Sequence, residues 1–133
     1  MTRRATRRRL MQWIYSCEIQ NNLDEVFSAY AFETIKEERE LHYAHDLLEK
    51  LSENLELVDG LLDELSLHWP VARMNKVDLA LLRLATVEIL YLEDIPHEVS
   101  INEAMELSKT YSSPDSYSFI NGILGSVVSH GKA

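Results

Sequence analysis

Chain breakers are scarce in this sequence. Four glycines and three prolines are spread over 133 residues, too few for the frequent turns of a many-stranded fold, so long helices are favoured. A single cysteine, Cys17, excludes an internal disulfide and suits a reducing cytosol. No stretch approaches the roughly 18 consecutive apolar residues of a membrane span, so the expectation is a cytoplasmic protein with no membrane partner. A glycine-rich phosphate loop and a G-x-S-x-G elbow are also missing, which removes two common routes to catalysis.

Positive charge is scarce too, except in one place. The chain carries 13 basic and 22 acidic residues, for a formal charge of −9. Five arginines lie in the opening "MTRRATRRRLMQWIY", and no acid accompanies them. From position 10 onward, eight basic residues face all 22 acids, a formal charge of −14. Such a body repels nucleic acid at long range, so any contact must be concentrated at the basic end. The opening is a poor secretory signal, because Gln12, Ser16 and Glu18 interrupt the apolar stretch. A presequence is disfavoured because the apolar positions run on into a structural helix.

An apolar content of 46% is ordinary for a globular domain. The periodicity predicts an all-α fold with about seven helices. The first covers about residues 3–20, with Leu10, Trp13, Ile14 and Cys17 on its inner face. The second covers about 23–37, the third about 38–51, and a fourth follows an acidic break at "SEN" with Leu55, Val58, Leu62 and Leu65 inward. "HWPVARMN" reads as a connector fixed by Pro70. Asn75 is the expected N-cap of the fifth helix, "KVDLALLRLATVEILYL", which is apolar nearly all round and so central. The sixth covers about 99–111. The seventh starts at "SSPDS", with Ser113 as cap and Pro114 at the first helical position. Gly122 and Gly125 inside the seventh suggest close packing against another helix.

Chemistry is sparse. Cys17 as a nucleophile competes with Cys17 as a buried core thiol, and its place on an apolar face favours the core. His42 and His45, three apart with Asp46 beside them, have a spacing a metal could use, but no second cluster supports them. The reading is no enzyme, no catalytic residue, no metal and no cofactor. The arginines are more informative. At about 100° per residue, Arg3 and Arg7 share one line of the helix and Arg4 and Arg8 the next, with Arg9 pointing away. Guanidinium forks suit phosphate. They also oppose the helix dipole at an N-terminus, which is tolerable in an arm that orders around an anion. A frayed, solvated terminus is the competing reading.

The second half of the chain bears on that contest. "VDLALLRLA", "EIL", "DIP", "VSINEAMELSK" and "DSYSFINGIL" occur in order without a gap. The chain thereby resembles the NusB family of transcription antitermination proteins, and Arg7, Gln12 and Tyr15 match the family's opening pattern. The resemblance implies a single domain over 1–133, with helical subdomains of about 1–70 and 71–133 packed as two small bundles. It implies binding of boxA-type single-stranded RNA through an arginine-rich first helix. It also implies pairing with NusE, the transcription-factor role of a ribosomal small-subunit protein, and indirect contact with other Nus factors and RNA polymerase. The outcome would be suppression of premature termination, notably in ribosomal RNA operons.

Residue by residue, Arg3, Arg4 and Arg7 match the basic motif, and Arg8 adds charge beside it. Tyr15 matches a family tyrosine, with RNA support and core packing both open. Asp115 and Phe119 match a region adjoining the RNA surface, and Phe119 is a candidate for stacking on an unpaired base or for the core. Asp78 matches an acidic position at the NusE interface, with helix capping as the alternative. Arg83 and Glu88 are assigned to internal polar pairing. Leu79 and Ser118 stand where the family often has basic residues, and Arg9, Leu10 and Trp13 are larger or more polar than its pattern. Two other functions remain. One is an interaction module with the same fold that has lost RNA recognition, as the acidic body suggests. The other is an RNA-modifying enzyme, for which a chain ending soon after the last helix leaves no room. A homodimer hiding the arginine face is a further possibility.

Overall fold

Five α-helices, rather than about seven, make up the fold. The computed structural model describes residues 1–67 and 69–132; His68 of the expected connector lies outside them. The helices are α1 (Arg3–Ile19), α2 (Glu38–Leu65), α3 (Lys76–Tyr91), α4 (His97–Tyr111) and α5 (Pro114–Lys132), with short 3-10 turns at Leu23–Glu25, Phe32–Thr34 and Val71–Arg73. No strand occurs among the described residues, so the all-α class holds.

Two differences account for the lower count. The expected helix over 23–37 is an irregular connector with two 3-10 turns. Its apolar residues do not share one helical face. Val26 and Ile35 reach the core, while Phe27, Tyr30 and Phe32 form a satellite of rings against Trp13 and His45. The expected third and fourth helices are one element of 28 residues. The "SEN" break survives only as a kink at Asn54, with φ −123° and ψ 20°. There the side-chain amide of Asn54 donates to the Lys50 carbonyl at 2.8 Å. Leu51 on one side of the kink and Val58 and Leu62 on the other are all fully buried. One continuous apolar stripe therefore carries the helix through a poor helix former.

Helix α3 is central because its sequence leaves it no polar face. Every residue from Asp78 to Ile89 is buried, and α3 packs against each of the other four helices. Asn75 caps it as expected, its side-chain oxygen accepting from the amides of Val77 at 2.8 Å and Asp78 at 3.3 Å. The core is one cluster fed by all five helices, and Cys17 sits in it as an inert thiol whose pKa burial pushes up. The glycines of α5 correct another expectation. Gly122 and Gly125 lie on its exposed side, and a Cβ at either would meet nothing within 4 Å.

Candidate nucleic-acid interface

The arginine segment is a helix from Arg3 onward and is fastened at its start. Thr2 is the N-cap, its hydroxyl accepting from the Ala5 amide at 3.0 Å. The terminal amine pairs with Glu37. Because α1 makes one turn per 3.6 residues, its arginines are distributed around the helix and meet different surroundings.

Arg7 points inward and is only 4% exposed. Its Nε donates to Glu88 Oε2 at 2.8 Å and its Nη2 to Oε1 at 3.0 Å, a bidentate pair joining α1 to α3. The same carboxylate accepts from the Tyr43 hydroxyl of α2 and from Ser100 Oγ of α4 at 2.8 Å. Glu88 therefore ties four helices together with its lone pairs satisfied, which is what a buried charge requires. Arg3 donates from Nε to Glu40 at 2.9 Å, and its guanidinium lies 4.1 Å over the Tyr43 ring. Arg4 forms a fork on Glu103 of α4, at 3.0 and 2.6 Å, and is itself exposed. Glu103 also lies 3.6 Å from Arg7 Nη1. The Arg4 hydrogen bond holds the Glu103 carboxyl below the usual glutamate range.

Arg8 is exposed and makes no ion pair among the described residues. Arg9 is exposed too, its Nη1 donating to Thr34 Oγ1 at 3.1 Å. Tyr15 is 37% exposed and lies outside the core cluster. From Arg3 to Tyr15 the outward-facing set on α1 is therefore Arg4, Arg8, Arg9, Gln12 and Tyr15, a cationic face on an acidic body.

The remaining candidate residues gather at the other end of α3. Asp78 is buried, not an exposed acid. Its carboxylate accepts from Ser112 Oγ at 2.5 Å and Ser116 Oγ at 2.7 Å, fixing the turn between α4 and α5. Above it lies an open cleft of about 280 Å³, lined by Trp69, Asn75, Ser113, Asp115 and Phe119 among others. Phe119 is half-buried and Trp69 is 49% exposed, so each offers part of a ring. Ser118 is exposed, whereas Leu79 is wholly buried and cannot substitute for a surface cation. From Asp78 to Glu88 along α3 is ten residues, about 15 Å at 1.5 Å per residue. The arginine end and the aromatic cleft are thus two places, not one cluster.

Sequence reasoning placed Arg83 and Glu88 in internal pairing, and both are so engaged: Arg83 binds Asp59 at 2.9 and 2.8 Å and Glu18 at 2.8 Å. It missed Glu40, Tyr43, Ser100 and Glu103, the groups that receive the arginines. Glu103 lies within "INEA", yet only the packing of α4 beside α1 gives that acid its arginine. Trp69 was also missed. His42 and His45 diverge, one 3.4 Å from Asp46 and the other edge-on to Phe27 at 4.8 Å. No group of three potential metal ligands occurs among the described residues, and no described helix is long and apolar enough to cross a membrane.

Comparison with known proteins agrees with this architecture. The NusB family model matches residues 4–129. The transcription antitermination protein NusB of Alkaliphilus oremlandii is 41% identical, over 96% of this chain and 94% of that protein. Its counterpart in Acetivibrio thermocellus is 44% identical, over 96% and 89%. A T. maritima NusB structure superposes with a TM-score of 0.86 at 31% identity, covering 97% of this chain and 92% of that one. NusB in a solved complex of the antitermination factors NusB and NusE with dsRNA shares the fold, with a TM-score of 0.77 at 20% identity and 96% coverage of each chain. With the family matched over nearly its whole length, the chain belongs to the NusB family and is a non-enzymatic transcription antitermination factor.

Proposed function

We propose that this factor binds boxA-type single-stranded RNA on the outer face of α1, together with NusE, and so suppresses premature termination in ribosomal RNA operons. The observation that carries this reading is the outward arginine face. It is the one concentration of positive charge on a body of formal charge −14 from position 10 onward. The solved relative assembled with NusE and dsRNA supports the coarser part of this reading, an RNA- and NusE-binding role.

In this reading Arg4 and Arg8 meet phosphates, and Arg3 contributes through its terminal nitrogens, which Glu40 leaves free. Tyr15 offers a ring beside them. Arg7 holds the face in place through Glu88 rather than touching RNA. Phe119 and Trp69 offer a second place for an unpaired base, with Asp115 available to accept from an exocyclic amine. Asp78 acts on the partner side indirectly, by fixing the α4–α5 turn. Other Nus factors and RNA polymerase are reached through NusE.

The test is binding of a boxA-like RNA with and without NusE across a salt series. Three neutralised phosphates give a slope of log K on log salt of about −2 for single-stranded RNA. Arg4→Ala with Arg8→Ala should flatten that slope by more than half. An unchanged affinity would sink the arginine face. A second reading, a NusE-binding module without RNA recognition, is favoured by the carboxylates that already occupy Arg3 and Arg4. Calorimetry showing NusE binding with equal affinity for boxA-like and scrambled RNA would select it.

A further inference from the structure

The outer face of α1 does not stop at Arg9. On the side away from α4 it runs into an open groove of about 380 Å³ between α1 and the connector, lined by Arg9, Gln12, Trp13, Tyr30 and Thr34 among others. That volume is within the range of about 300–1,000 Å³ common for small-ligand sites. Its walls are two rings meeting edge to face, Trp13 and Tyr30, with centroids 5.5 Å apart at 70°. Both are braced. Trp13 Nε1 donates to the Val26 carbonyl at 2.9 Å, and Phe32 packs on Tyr30 at 4.9 Å.

Two features favour a polar aromatic occupant over an apolar side chain. The Tyr30 hydroxyl is buried and has no hydrogen-bond partner among the described residues. Arg9 and Tyr30 line the same groove, and burial pushes the Tyr30 phenol up while the charge of Arg9 pulls it back. The rim is cationic and polar, with Arg9 and Gln12 both exposed and Arg8 next along the helix. The hydroxyl has no exposed surface in the empty groove, so pairing requires the half-buried Tyr30 side chain to turn toward an occupant, and an apolar peptide would offer it no partner. A nucleotide satisfies both features. Its base presents donors and acceptors at its edge and a face to an aromatic wall, and its phosphate suits a guanidinium.

We propose that this groove accepts one unpaired base of the RNA flank as it leaves the arginine face, with Tyr30 and Gln12 reading its edge, Trp13 against its ring and Arg9 on its phosphate. The site rests on the RNA-binding reading above and adds a position to the RNA path that the arginines alone do not supply.

Affinities are measured in the otherwise unaltered protein, and because the chain has two tryptophans, Trp69→Phe serves only to assign the fluorescence change to Trp13. Two probes are compared, a boxA-like RNA and the same RNA extended by a uridine tract at either end. The extended RNA should bind severalfold tighter and quench Trp13. In Arg9→Ala and in Tyr30→Phe the ratio of the two affinities should fall to near one. Tyr30→Phe removes a hydroxyl that nothing holds, so its melting temperature should not fall, which separates a reading role from a structural one. Equal affinities in the parent protein, or a gain that survives both variants, overturn the proposal. So does a Trp13 response to NusE alone, which assigns the groove to protein, or one that tracks the chain's own concentration, which assigns it to a second copy. If the core RNA binds but the flank adds nothing, only the groove falls. If the core RNA fails with NusE present, the RNA reading falls and the groove with it.

Discussion

Arg7 and Arg8 are neighbours in sequence and opposites in the structure. The first is buried, with the Nε–Nη2 edge of its guanidinium on Glu88 and Nη1 toward Glu103, while the second is exposed and makes no ion pair among the described residues. One step of about 100° around α1 separates a group that holds the helix in place from one available to a ligand. A count of arginines therefore overstates the number of phosphates this helix can meet. It also removes the electrostatic puzzle of the basic start. Much of the charge that opposes the helix dipole is answered by Glu37, Glu40, Glu88 and Glu103 from α4, α3 and the start of α2.

The contrast can be broken most forcefully at Arg7. Arg7→Ala leaves Glu88 buried without its cation, and should cost about 3–5 kcal/mol in urea unfolding. Arg8→Ala should stay within about 0.5 kcal/mol of the parent. Equal effects would mean that the inner and outer faces do not differ. Tyr43→Phe tests the same anchor more gently. It removes one hydrogen bond to a charged group and should cost about 1.5–3 kcal/mol.

The two sides of α1 also separate by pH. Burial, reinforced by the neighbouring charge of Glu88, holds the Tyr43 phenol well above its ordinary 10.0. A folded pKa above the unfolded one means a contribution that is complete below pH 10 and fades as pH climbs toward the folded value. The Arg4–Glu103 pair has the opposite sign. Glu103 is held below 4.5, so its contribution is present above that value and drains as pH falls below it. Thermal melts from pH 9 to 11 should decline in the parent more steeply than in Tyr43→Phe. Melts below pH 4.5 should decline less steeply in Glu103→Gln than in the parent.

How much of this was legible depended on whether neighbours in sequence were also neighbours in space. Helices α1, α3, α4 and α5 stood out because each has a continuous apolar face and clear ends, such as Asn75 before α3 and Pro114 opening α5. The inward roles of Arg83 and Glu88 followed from charges set in an otherwise apolar helix. The connector after α1 was misread because Val26, Phe27, Tyr30 and Ile35 are spaced as on a helix, yet Val26 and Ile35 enter the core while Phe27 and Tyr30 pack on Trp13, Phe32 and His45, which the sequence does not align with them. The partners of Arg3, Arg4 and Arg7 lie 37, 99 and 81 residues away. No local pattern encodes such separations.

RNA binding offers a subtler way to sharpen the contrast. Arg8→Ala should flatten the salt dependence by about 0.7 in slope, the share of one phosphate on a single strand. The neutral pair Arg7→Gln with Glu88→Gln removes a cation from the same helix without stranding a buried charge. Its slope should match the parent even where its melting temperature falls. A loss of about 0.7 in that double variant would place Arg7 on a phosphate after all and erase the distinction.

The smallest effect applies the same rule of faces to α5. Gly122 and Gly125 read as close-packing residues, but both face outward with open space where a Cβ would stand. Gly122→Ala should therefore stabilise the protein by about 0.5–1 kcal/mol, the helix-propensity difference with no steric penalty against it. Urea midpoints with an unchanged m-value would show that gain cleanly. A loss on its own would show that this face is covered, and the close approach first suggested by its sequence would then belong to a contact outside the single chain.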